Sequence, residues 1–145
     1  MSKRLDVLEA VKALAALAAP LAEVLGLSGD DMGLGDPPRA SRIIVRAGTP
    51  QLTETTLSPI TYWYDHEIPV EIYAPDEIAL DALLVAFGTK LEADRTLGGL
   101  VDWLDTSAPE TDDFAAYSPD GDLLAADRAT TVNLTASYST SGPLA

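Results

Sequence analysis

Apolar residues return at every second position from Ile60 to Ile72. Ile60, Tyr62, Tyr64, His66, Ile68, Val70 and Ile72 fall on one side, and Thr61, Trp63, Asp65, Glu67, Pro69 and Glu71 on the other. A period of two predicts a strand with one buried face. Pro69 has no N–H to give to a ladder, so it predicts an edge position or a bulge at that point. The pattern returns near the end of the chain. Val132, Leu134, Ala136 and Tyr138 alternate with Asn133, Thr135, Ser137 and Ser139, which predicts a long antiparallel strand over Thr131 to Thr140 with one polar face. Two segments carry helical spacing instead. Leu5, Leu8, Val11, Leu14 and Leu17 form a stripe widened by Val7 and Ala15, with Ser2 as its cap and Pro20 ending or kinking it. Leu80, Leu83, Leu84, Phe87 and Leu91 form a second stripe behind Pro75-Asp76-Glu77.

The intervening segments are weaker. Arg42 to Gly48 predicts a strand, and Gln51 to Leu57 is expected to pair with it after the turn at Gly48-Thr49-Pro50. Leu21 to Leu27 suits a helical turn or a short strand equally. Ser28 to Ser41, with three glycines, two prolines and three aspartates, reads as a loop long for a compact domain. Leu100 to Asp105 and Asp112 to Tyr117 are minor strand candidates, and Ser118-Pro119-Asp120-Gly121 is a turn. The expected architecture is α+β: one domain over residues 1–145, an antiparallel or mixed sheet, and two helices packed on one face.

Charge narrows the function classes. The formal net charge is −14. Residues 1–47 balance six Lys/Arg against six Asp/Glu, and the rest of the chain carries three against seventeen. A surface so acidic repels phosphate backbones, which argues against sequence-specific nucleic-acid binding. Asp6, Glu9 and Lys12 interrupt the N-terminal apolar run, so neither a signal peptide nor a membrane span is expected there. With no cysteine, disulfides, thiolate chemistry and cysteine-ligated metals are excluded. This reading is of a protein made in the cytoplasm.

Candidate chemistry is sparse. His66 is the lone histidine, and its neighbours Asp65 and Glu67 project from the opposite strand face, so neither can orient its ring. No Gly-x-Ser-x-Gly elbow supplies a nucleophile. Asp30, Asp31 and Asp36 in the long loop lack calcium-loop spacing and read better as solvated turn acids. Gly33-Leu34-Gly35 lacks the third glycine of a dinucleotide fingerprint, and Gly-Thr-Lys at 88–90 is no phosphate loop. No catalytic, metal or cofactor residue is assigned, and no cofactor is expected. Interface candidates remain. Trp63 lies on the less apolar side of the strongest strand; packing under a helix and anchoring a subunit contact are both open. Trp103 is a second aromatic candidate. Arg42 and Arg46 alternate with Ile43 and Val45, so both can share an exposed face and meet acids of a neighbouring copy, or stay solvated. Asp30 and Asp31 complete the set as acids of a loop suited to subunit contacts.

The segment Asp94-Arg95-Thr96-Leu97-Gly98-Gly99-Leu100-Val101-Asp102-Trp103-Leu104 resembles a stretch of the tail terminator (tail completion) proteins of tailed phages and gene-transfer particles. Leu57-Ser58-Pro59 running into Tyr62-Trp63-Tyr64-Asp65-His66 fits the same family, as does Thr135 to Thr140 ending in Pro143-Leu144. The resemblance covers most of the chain outside Ser28 to Ser41. It implies a structural virion protein at the neck end of the tail, not an enzyme. It also implies a homo-hexameric ring on the last layer of the tail tube, contacts to the tube protein and head–tail connector, no membrane, and non-specific passage of double-stranded DNA through the lumen. A different connector or tube subunit, and a small hydrolase or transferase, are the rival expectations.

Overall fold

The computed structural model describes residues 2–27, 41–112 and 128–145. Two helices and seven strands lie within them: α1 (Lys3–Ala18), β1 (Glu23–Leu25), β2 (Arg42–Val45), β3 (Thr49–Leu57), β4 (Ile60–Ala74), α2 (Glu77–Ala93), β5 (Trp103–Thr106), β6 (Glu110–Asp112) and β7 (Arg128–Thr140). The architecture is the expected α+β. The expected strand over Leu100 to Asp105 is shorter and starts at Trp103, and that over Asp112 to Tyr117 is described only at its start. The turn at 118–121 and the loop residues 28–40, with Asp30, Asp31 and Asp36, lie outside the described residues.

Two long strands form the axis of the sheet. β4 and β7 pair antiparallel in unbroken register from Tyr62↔Thr140 to Ala74↔Arg128. Each then carries two short strands end to end along its outer edge. β2 and β3 both pair antiparallel with β4, over Val70–Tyr73 and Ile60–Glu67. β6 and β5 do the same along β7. β1 extends the sheet by pairing parallel with β2.

This corrects the expected hairpin between Arg42–Gly48 and Gln51–Leu57. The turn signal at Gly48 marks a jog, after which β3 continues along the edge that β2 has left. Gly48 has φ +63°, and a Cβ there would sit 1.8 Å from the Glu67 carbonyl oxygen, so only glycine fits. Pro69 is likewise neither on an edge strand nor at a bulge of the β4–β7 register. Its carbonyl accepts the Arg46 N–H at 2.9 Å. A strand residue's N and C=O face the same way, so the missing N–H of Pro69 falls in the gap between β2 and β3, where no strand needs it. Its cross-strand partner Asn133 faces the matching gap between β5 and β6. There Ser107 fills in: its N–H donates to the Asn133 carbonyl at 2.9 Å and its hydroxyl accepts the Asn133 N–H at 3.1 Å.

The core lies on one side of this sheet. His66, Ile68, Val70, Ile72 and Ala74 of β4, and Thr130, Val132, Leu134, Ala136 and Tyr138 of β7, are buried under the helices. α1 supplies Val7, Leu8, Val11, Leu14 and Ala15; α2 supplies Leu80, Phe87 and Leu91. Ser2 caps α1 by accepting the Leu5 N–H, and Asp76 caps α2 by accepting the Ala79 N–H at 2.7 Å. Leu17 departs from the expected stripe. At 71% exposed it faces solvent, because three-residue spacing drifts around a 3.6-residue helix, and the buried face passes through Ala15, Ala18 and Ala19 instead. No helix of the described residues is long and apolar enough to cross a membrane.

Candidate functional site: hairpin, hinge turn and helix seam

The lone histidine sits deep in the core, and its ring is fully engaged. Nε2 lies 2.6 Å from the Ala47 carbonyl oxygen and Nδ1 lies 3.1 Å from the Tyr138 hydroxyl. A carbonyl only accepts, so Nε2 carries the proton, and Nδ1 accepts from the tyrosine. Burial disfavours the imidazolium and, with the Arg4 charge, lowers the His66 pKa, while the Ala47 carbonyl opposes the shift. Burial also raises Tyr138 above the usual phenol range. Asp65 and Glu67 project from the other face, as alternation requires, and Asp65 accepts a bond from Ser137 at 2.8 Å. In this arrangement neither ring nitrogen is free for an acid–base step.

Beside this pair, a cleft of about 330 Å³ opens between the base of the β3–β4 hairpin and the start of α1, lined by Arg4, Pro50, Tyr64, Tyr138 and Leu144. It is aromatic on one wall and has a single cation at its rim. Among the described residues no group of His, Asp and Glu side chains is arranged to hold a metal ion.

The remaining interface candidates fall on the sheet face that no helix covers. Arg42 and Arg46 share that face, and each is engaged within its own chain: Arg42 with Glu23 at 3.2 Å and Arg46 with Glu71 at 2.8 Å. Trp63 lies on it too, opposite Ser139, and therefore does not pack under a helix. Its indole Nε1 is shielded from solvent and has no hydrogen-bond partner among the described residues. Trp103 stands 51% exposed on β5, with the Arg95 guanidinium 5.0 Å from its ring centroid.

Arg95 belongs to a hinge turn that sequence reasoning noted only as a resemblance. After α2, the Asp94 carboxylate accepts from the Gly98 N–H at 3.0 Å and the Thr96 hydroxyl at 3.3 Å. Leu97, Gly98 and Gly99 all have positive φ, which coils the chain back toward the sheet. Arg95 then ties the turn to β5, donating to the Leu104 carbonyl at 3.3 Å and lying 3.5 Å from Asp105. The segment is a structural staple between the second helix and the sheet.

Two surfaces are apolar and uncovered among the described residues. One is the hairpin tip. β7 ends opposite Tyr62, so the tip reaches past it, with Leu57 79% and Ile60 53% exposed on either side of Ser58-Pro59. The other is the outer seam of α1 and α2. Two grooves of about 340 and 330 Å³ lie along it, floored largely by alanines. Sequence reasoning missed both, although the alanine-rich helices and the apolar residues about Ser58-Pro59 were the available signals. No family model matches the chain, and no curated protein matches it.

Proposed function

We propose that this chain is the tail terminator of a tailed phage or gene-transfer particle: six copies close a ring on the last tube layer, stop tube growth and join the tube to the neck. The observation that carries the reading is how the resembling segments act together. Asp94 to Leu104 forms the staple that fixes α2 to β5. Leu57-Ser58-Pro59 forms the hairpin tip, and Thr135 to Thr140 pairs with its base. A chain that devotes these segments to a rigid two-layer body with a protruding hairpin suits assembly. Rings need heterologous contacts, one patch meeting a different one. The role is structural, and the engaged ring of His66 supports that choice over hydrolysis or group transfer. DNA passes an acidic wall without sticking, because carboxylates repel phosphates. The carboxylates of Asp65 and Glu67 on the helix-free face support such a wall.

Deleting the gene from the particle-producing genome and imaging the products tests this. Overlong tails beside filled, tailless heads are expected. Heads without any tails would transfer the role to a tube or initiation protein. Intact particles of normal length would end the structural reading altogether.

A further inference from the structure

We infer that the hairpin tip of one copy docks into the α1–α2 seam of the next, so that the two apolar surfaces left uncovered among the described residues are halves of one contact. The inference rests on the ring-forming reading and specifies its joint.

The seam is built to receive side chains. Ala10, Ala13, Leu14, Leu17 and Ala93 line one groove, an open trough of about 340 Å³. The second groove continues past Ala18 and Ala82 to Leu21, which is 94% exposed. An apolar trough flanked by bare leucines marks an interaction surface.

The occupant must be convex, apolar and anchored on a firm base. The tip offers Leu57 and Ile60 on a tight turn, held by β4, the longest strand of the sheet. Two tips pressed together leave both troughs empty, and two concave seams pressed together enclose a void. Tip into seam fills both and is head-to-tail, the geometry that generates rings or filaments. Charge agrees. Glu54 is the only charged residue from Thr49 to Tyr64. Lys90 lines the first groove, and no ion pair engages it among the described residues. Asp94, the acid on the same rim, is turned into its own hinge turn. The obvious rival, strand addition along the edge of β3 that no described strand pairs, is disfavoured by three features that blunt such edges: Pro50, the register shift between Leu52 and Glu54, and the Glu54 charge.

Because the chain has no cysteine, introduced thiols report single contacts. Leu57→Cys and Leu17→Cys variants, mixed and oxidised, are expected to give crossed dimers in at least tenfold excess over either self-dimer. One chain carrying both substitutions should give a ladder of linked species. Glu54→Lys should weaken association about tenfold, and Glu54→Lys with Lys90→Glu should restore it. Mass photometry separates the two levels of the argument. Closed hexamers without crossed disulfides would overturn this contact and leave the ring. Crossed disulfides in open chains longer than six would keep the contact and remove the terminator reading. Self-dimers through Leu17→Cys, or monomers throughout, would overturn the contact outright.

Discussion

The two halves of β4 share one hydrophobic pattern and live in different surroundings. From His66 to Ala74 every second residue is buried beneath the helices. From Ile60 to Asp65 the same alternation continues, yet Ile60 is exposed and Tyr62 and Tyr64 are only half-buried. Alternation records that a strand has two faces. Whether anything lies over a face is decided by elements far away in sequence, here α1 and α2. The exposed half keeps apolar residues that the described residues cover only in part, and that surplus is what a binding edge looks like.

The contrast can be broken at several points. Truncating the covered half should cost most. Ile68→Ala empties a fully buried site and should lower unfolding stability by about 2–5 kcal/mol. Ile60→Ala in the other half should stay within about 0.5 kcal/mol in urea titrations of the monomer. Equal losses at both positions would erase the distinction. Gly48→Ala strikes the junction between β2 and β3. Its Cβ must displace the Glu67 backbone from a positive-φ site, so a loss of about 1–3 kcal/mol is expected by the same titration.

His66 marks the boundary itself, and acid should probe it. Its folded pKa lies below the ordinary value of 6.5, so the unfolded chain binds the proton more readily. The stability this group contributes is fully present above about pH 6.5. It declines as pH falls through the folded pKa, by at most about 1.4 kcal/mol per pH unit for one proton. Denaturation midpoints measured from pH 7.5 to 5 should show the decline, and His66→Gln should flatten it. An unchanged slope in that variant would assign acid sensitivity to the carboxylates instead.

Much of the body was legible in the sequence. Both long strands and both helices follow from spacing, and Ser2 marks the cap of α1; Asp76 stands in the sequence only among the acids that open α2, and its capping bond is seen in the fold. The pairing of β3 was not. Gly48-Thr49-Pro50 carries a genuine turn signal, but a local signal cannot announce that a later strand will be long enough to template both β2 and β3. Pro69 signals an edge or a bulge for the same reason; the gap it occupies exists only once both short strands have paired. Of the interface candidates, Arg42 and Arg46 do share a face, but the acids that engage them come from β1 and β4 of the same chain. The Arg95–Trp103 stack was hidden because the turn at Gly98-Gly99 brings together residues that no periodicity links. The apolar tip and seam were missed because exposure is a property of the assembled layers.

The facing gaps at Pro69 and Asn133 have a mechanical consequence. Along that row the ladders of the outer strands stop, and only the β4 and β7 backbones run through, bridged at the edges by Arg46 and Ser107. That row lies beneath the helices, because Ile68 and Val70 of β4 and Val132 and Leu134 of β7 flank it and are buried in the core. The break in the outer ladders is thus backed by side-chain packing, and four short edge strands are carried as one plate by a single continuous pair of backbones.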